Sequence, residues 1–192
     1  MKNRCTWCGS DPLYVAYHDT EWGVPLHDDR LLFQLLILEG AQAGLSWLTI
    51  LRRREQYIKA FEGFDCQRMA RYTQADVQRL LAEPGIIRNR LKITSAIRNA
   101  RAVLGIQERY GSLDAYLWQY VDGEPIQNQW TCVDDVPDQT DLSQRISREM
   151  NKLGICFFGP VICYAFMQAV GMVNDHTVDC FRHREIVALA TS

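Results

Sequence analysis

His176 and Cys180 stand four positions apart, a spacing that brings both side chains to one face of a helix. Near the opposite end of the chain lie Cys5, Cys8 and His18. Thiolate and imidazole are the ligands that tetrahedral zinc takes, and four protein ligands close such a site and make it structural. The spacing leaves two sets open: a Cys5–Cys8 pair, within the CxxC formed by Cys5-Thr6-Trp7-Cys8, or Cys5 and His18 with His176 and Cys180. The second set would tie the two ends of the chain together. A different chemistry is signalled by Glu39. It is the one charge in Leu31 to Leu51, LLFQLLILEGAQAGLSWLTIL, and it precedes Gly40, Gly44 and Trp47. Burying an ionised carboxylate costs several kcal/mol unless something compensates it. Glu39 is therefore either the solvated end of an amphipathic helix or a buried acid held for a purpose.

The elements that must position these groups read as helices. Asp28-Asp29 supplies an N-cap and first-turn negative charge for a core helix through Leu32, Leu35, Leu36 and Ile37. Asp11-Pro12 opens a short element through Tyr17-His18. Gly44 or Ser46 starts a helix expected to run past Arg52-Arg53-Arg54 to Phe61, and Thr73-Gln-Ala-Asp76 fits a capping box. A long helix is expected from about Asn89 to Tyr110, closed by Gly111, and Ser112 caps the next. Residues 122–140, with Pro125 and Pro137, read as loop. Helix resumes through SQRISREMNKL, stops at Gly154, turns through ICFFGP and restarts as VICYAFMQAV. Alternating strand patterns are almost absent, so the fold class is all-α.

At 192 residues and net charge −2, the chain suits one domain of ordinary composition. The opening MKNRCTWCGS lacks an apolar h-region, and polar residues and glycines interrupt the run from Leu31. Neither a signal peptide nor a membrane span is expected, and a cytoplasmic location follows. The odd cysteine count, seven, argues for thiols and metal ligands over disulfides, with Cys66, Cys132, Cys156 and Cys163 expected as small core residues. Charge is segregated. Between Ile86 and Tyr110 there are six basic residues and one acidic, whereas Gly111 to Asp141 holds seven acidic residues and no basic one. Arg52-Arg53-Arg54 and the group Arg145, Arg148, Lys152 add basic clusters, which can track a phosphate backbone or line solvated helix faces. Two glycine-containing turns, LAEPGIIRNRLK (81–92) and LGICFFGPVIC (153–163), lead into helix starts whose N–H groups are pre-aimed at an anion.

Four stretches carry a resemblance over nearly the whole chain: DPLYVAYHDTEWGVP (11–25), LEGAQAGLSWLTIL (38–51), PGIIRNRLKI (84–93) and FFGPVICYAFMQAVGMVNDH (157–176). Together they resemble the bacterial 3-methyladenine DNA glycosylase I family, within the helix-hairpin-helix glycosylase superfamily. The resemblance implies a helix-hairpin-helix DNA glycosylase fold. Its helical barrel would span residues 28–171 and include a hairpin at 154–160, and residues 1–27 with 172–192 would form a zinc-clasped lobe. It implies excision of 3-methyladenine from double-stranded DNA by base flipping and hydrolysis of the N-glycosidic bond, without a redox cofactor. No lysine is placed as a Schiff-base nucleophile, so no lyase activity is expected, and a monomer is expected. Its zinc ligands fall on Cys5, His18, His176 and Cys180, leaving Cys8 outside, and its base pocket on Trp7, Tyr14, Tyr17, Glu39 and Trp47. The triplet Asn174-Asp175-His176 falls where related glycosylases keep a catalytic aspartate. With His176 given to zinc, that aspartate is absent from its working position in this family.

That chemistry suits the pocket residues. A glycosylase must extrude the base and stabilise a sugar with oxocarbenium character. A 3-methylated adenine is cationic in DNA and leaves as a neutral base, so little leaving-group acid is needed. Aromatic faces at Tyr17 and Trp47 stack well on a cationic ring, and Tyr14 and Glu39 can hydrogen-bond the base edge. Gln42, Gly44 and Leu45, beside these residues, are the expected wedge that fills the vacated stack.

Overall fold

The computed structural model describes residues 2–190, and among them eleven α-helices and one two-residue strand pairing. The helices are α1 (Pro12–Thr20), α2 (Asp29–Gln42), α3 (Trp47–Leu51), α4 (Arg54–Ala60), α5 (Cys66–Ala70) and α6 (Gln74–Ala82). They continue as α7 (Arg90–Tyr110), α8 (Leu113–Trp118), α9 (Asp141–Lys152), α10 (Pro160–Ala169) and α11 (Phe181–Ala190). None of them is long and apolar enough to cross a membrane.

The centre is α2. The Asp28 carboxylate accepts from the Leu31 N–H at 2.8 Å and starts it. Asp29 receives Gln107 Nε2 and the main-chain N–H groups of Leu113 and Asp114, which fastens this end to the α7–α8 corner. Leu32, Phe33, Leu36, Ile37 and Leu38 are buried, each contributing about 1.5–3 kcal/mol of transfer free energy. Helices α3, α7, α8 and α10 pack around this helix. Its last turn therefore ends inside the protein, carrying Glu39, Gly40 and Ala41 buried.

The expected helix from Gly44 or Ser46 to Phe61 is two helices. Ser46 caps α3, and the chain kinks at Arg52 and Arg53 before α4. The kink lets three consecutive arginines reach three segments: Arg52 to Asp11 at 2.7 Å, Arg53 to the Pro84 carbonyl at 3.2 Å, and Arg54 to Glu21 at 2.9 Å. The basic cluster is thus largely spent within the protein. The capping box at Thr73 and the Asn89 cap form as the sequence predicts. Gly111 ends α7 at φ +90°, a conformation that favours glycine.

Residues 122–140 are not wholly loop. Ile126–Gln127 (β1) pairs in parallel with Val173–Asn174 (β2), and Val133–Asp135 forms a 3-10 turn. This pairing is too short to leave an alternating pattern. It brings the acidic segment alongside the residues that precede His176. The two ends of the chain also meet directly, the Phe181 N–H donating to the Asn3 carbonyl at 3.0 Å and Asn3 Nδ2 to Asp179.

Candidate functional site

Cys5, His18, His176 and Cys180 converge, all four buried and with their ligand atoms within 4.8 Å of one another. Cys5 precedes a 3-10 turn, His18 lies in the last turns of α1, His176 follows β2, and Cys180 precedes α11. His176 Nδ1 is 3.5 Å from Cys5 Sγ and 3.6 Å from Cys180 Sγ, and His18 Nε2 is 3.5 Å from Cys180 Sγ. Sulfur–nitrogen edges of about 3.6 Å are what a tetrahedral zinc with ordinary bond lengths requires. The second nitrogen of each imidazole is engaged elsewhere. His18 Nδ1 lies 2.8 Å from Asp19, which Arg4 grips, and His176 Nε2 donates to the Trp22 carbonyl at 3.1 Å. Such outer partners fix the tautomer that turns the other nitrogen to a metal. A side chain at Gly23 would come within 3.1 Å of the His176 ring. The donor set fits zinc. Cys8 stands apart, its buried thiol donating to the Cys5 carbonyl. Of the other four cysteines only Cys163 is a core residue; Cys132 is exposed and Cys66 and Cys156 are half-buried, because turns and helix edges bring them outward.

Beside this cluster opens a cavity of about 350 Å³. One wall is Trp7, Tyr14, Tyr17, Trp22 and Trp47, with Trp7 centred 5.0 Å from Tyr14 and 4.9 Å from Trp22, and Tyr17 5.6 Å from Trp47. Glu39 sits at the back of the cavity. Only 3 % of it is exposed, so the solvated-helix-end reading is wrong: the helix end is inside the fold. Its Oε2 has no hydrogen-bond partner, and the indole N–H groups of Trp7 and Trp47 are likewise unpaired. Burial alone pushes the Glu39 carboxyl up to about 8. Burial, then the nearby Glu39, also holds the Tyr17 phenol well above its ordinary range. At neutral pH the cavity therefore presents a protonated acid, phenols and free N–H donors among aromatic faces.

The opposite wall was not legible. Val133 and Val136, from the segment expected as plain loop, line the cavity with Tyr164 and Asp175. The buried Asp175 accepts from Asn128 Nδ2 at 2.6 Å, Trp130 Nε1 and Gln168 Nε2 at 2.8 Å, and Tyr164 Oη at 2.7 Å. Four donors on one carboxylate make it an anchor between the acidic segment and α10. The contrast with Glu39 is sharp: one buried carboxylate is fully satisfied, the other is left open to the cavity. Gln42 lines the cavity as well, and Leu45 is exposed, which removes ordinary core packing as its role. Gly44, at φ +78° with open space around it, allows the turn between them.

A family model for methyladenine glycosylase matches residues 7–183. DNA-3-methyladenine glycosylase 1 of Escherichia coli (strain K12) is 46% identical over 177 residues, covering 92% of this chain and 95% of that protein. The DNA-3-methyladenine glycosylase of Haemophilus influenzae is 40% identical, covering 94% and 97%. Among solved structures, 3-methyladenine DNA glycosylase I from Staphylococcus aureus, studied for its recognition of 3-methyladenine, superposes with a TM-score of 0.91 at 38% identity, over 94% of this chain and 96% of that one. Matched along most of its length in sequence and in fold, the chain belongs to the methyladenine glycosylase family.

Proposed function

We propose that this protein hydrolyses the N-glycosidic bond of 3-methyladenine in alkylated double-stranded DNA, taking the extruded base into the cavity beside Glu39. The observation that carries the reading is the buried Glu39 carboxyl, its Oε2 without a partner, among Trp7, Tyr14, Tyr17 and Trp47. An aromatic cage favours a cationic ring, and an approaching cation favours the ionised form of Glu39 over the protonated one. That attraction weakens as the base becomes neutral on leaving, so it selects the damaged base more than it accelerates cleavage. The bond is weak because the leaving group is good. Glu39 adds to the rate to the extent that its charge also favours the developing sugar cation. Asp175, saturated by four donors, holds the far wall in place; among the described residues no lysine lines the cavity.

DNA contact is assigned to the turn between α9 and α10, where Gly159 and Pro160 open α10 without a side-chain cap, so that the first-turn N–H groups of Val161 and Ile162 have no partner within the helix, and α9 brings Arg145, Arg148 and Lys152. Gln42, Gly44 and Leu45 form the wedge. Cys5, His18, His176 and Cys180 hold one zinc, which when bound supplies structural closure of the chain ends and no open coordination position. Incubating the protein with methylated duplex DNA and separating the released bases tests the activity. Free 3-methyladenine is the expected product; strand cleavage without base release, or DNA binding with no release, refutes it.

A further inference from the structure

The turn that carries the wedge has little to hold it. After α2 ends at Gln42, its own hydrogen bonds are the Ala43 N–H to the Gly40 carbonyl at 3.4 Å and the Leu45 N–H to the Gln42 carbonyl. Gly44 is unhindered. The last carbonyls of a helix have no partner within it, and here they end inside the protein. What reaches them is Lys92. Its Nζ donates to the Ala41 carbonyl at 2.8 Å and the Ala43 carbonyl at 2.7 Å.

The electrostatics of this lysine are unusual. Lys92 lies in the first turn of α7, where its own helix presents positive charge and no acidic side chain offsets it. Its stem runs through the narrow space between α2 and α7 with Ile37, Gly40, Ser95 and Phe157, and burial there lowers the pKa of its amine. A cation placed against its own helix dipole and partly out of water is compensated at the negative end of α2. The 21-residue α7, started by the Asn89 cap on the Lys92 N–H, gives it a rigid base.

We propose that Lys92 is a positioning residue for base extrusion: its ammonium clamps the carbonyls of Ala41 and Ala43 and so fixes the turn that presents Gln42, Gly44 and Leu45 to DNA. This rests on the wedge reading of that turn. The alternative occupation for a lysine among Arg88, Arg90 and Arg98 is a DNA phosphate. Two of its three N–H donors are already committed to the protein.

The test is Lys92→Met, which keeps the stem and removes the ammonium, with Lys92→Gln measured in its place should the first variant fail to fold. Single-turnover excision from duplex DNA is expected to fall about tenfold or more, as for a misplaced positioning group. Affinity for free 3-methyladenine should stay within about twofold, since the cavity residues are untouched. The slope of log affinity against log salt for undamaged duplex should not change, whereas loss of a phosphate ligand lowers it by about one. Lys92→Arg, which keeps a cation with paired donors, should recover most of the rate. Normal excision by Lys92→Met, a lowered salt slope, weakened free-base binding, or a Lys92→Arg as slow as Lys92→Met would each overturn the proposal. Leu45→Ala measured alongside separates the two readings. If it excises normally the wedge assignment itself fails; if it is slow while Lys92→Met is normal, only the role of Lys92 fails.

Discussion

Replacing Glu39 by Gln should change how the stability of this protein depends on pH, and in a calculable way. The carboxyl has an ordinary value of 4.5 and is pushed up to about 8 by burial. Below the lower value both folded and unfolded chains carry the proton, and burial has no ionisation cost. As pH rises, the unfolded chain ionises while the folded one keeps its proton, so folding is penalised progressively until the buried group itself ionises near the upper value. Each pH unit in that interval costs about 1.4 kcal/mol. At pH 7 the penalty is about 3 kcal/mol, a large fraction of a typical domain stability. Glu39→Gln removes the titration and keeps the shape. Urea unfolding of both proteins, with zinc held constant, gives the difference in stability at each pH. That difference should grow in favour of the variant by about 3 kcal/mol between about pH 5.5 and about pH 8. The constant offset from exchanging acid for amide drops out, as does every other titrating group. A difference that stays flat over this range would mean that Glu39 is ionised and hydrated in the folded protein, and that the cavity does not hold a buried neutral acid.

Three further outcomes are expected. Purified protein should carry about one zinc per chain with two sulfur and two nitrogen ligands; Cys5→Ala or His176→Ala should lose metal and stability while Cys8→Ala keeps both, as read by metal analysis and thermal unfolding. Titration of labelled free 3-methyladenine should show binding weakened by about 1.5–3 kcal/mol in Glu39→Gln, through loss of a charged partner, and comparably in Trp47→Ala, through loss of a stacking face. Asp175→Asn should destabilise the fold by about 1–3 kcal/mol, because an amide cannot accept from all four donors that converge there; urea unfolding with unchanged stability would remove its role as an anchor.

The sequence disclosed helices where local rules were strong. Asp28, Asn89, Thr73 and Gly111 start or stop their helices as their chemistry dictates. The helix expected to pair His176 with Cys180 does not form: the two stand in the turn between β2 and α11, where the Cys180 N–H donates to the Thr177 carbonyl at 2.8 Å and brings them together. It was less informative where the outcome depends on tertiary placement. Glu39 could be read as inside or outside, since an acid in the last turn of an apolar helix is buried only if that helix ends within the fold. The kink at Arg52 and Arg53 carries no proline or glycine; it is set by partners at Asp11, Pro84 and Glu21 that no local window contains. The cavity wall from Val133 and Val136 was invisible for the same reason, because the strand pairing that brings it in is only two residues long. Asp175 was marked only by the resemblance, and the four donors that make it an anchor come from partners no local window contains. Trp130, an aromatic amid acidic loop residues, was the one hint of a buried anchor there.

The order in which the cavity is assembled has a consequence for how the protein is made. Trp7, Tyr14 and Tyr17 belong to the first segment of the chain, whereas Tyr164 and Asp175 belong to the last, and Cys5 meets a partner 171 positions further on. Contacts of such separation come late, since the entropy of closing the intervening chain must be met before they form. During synthesis the helices around α2 can pack as they emerge from the ribosome. The pocket cannot close until the residues through Cys180 have followed. A nascent chain held short of that point would contain the carboxylate and most of the aromatic faces, yet have nowhere to receive a base, so competence arrives at once and only after Cys180 has emerged.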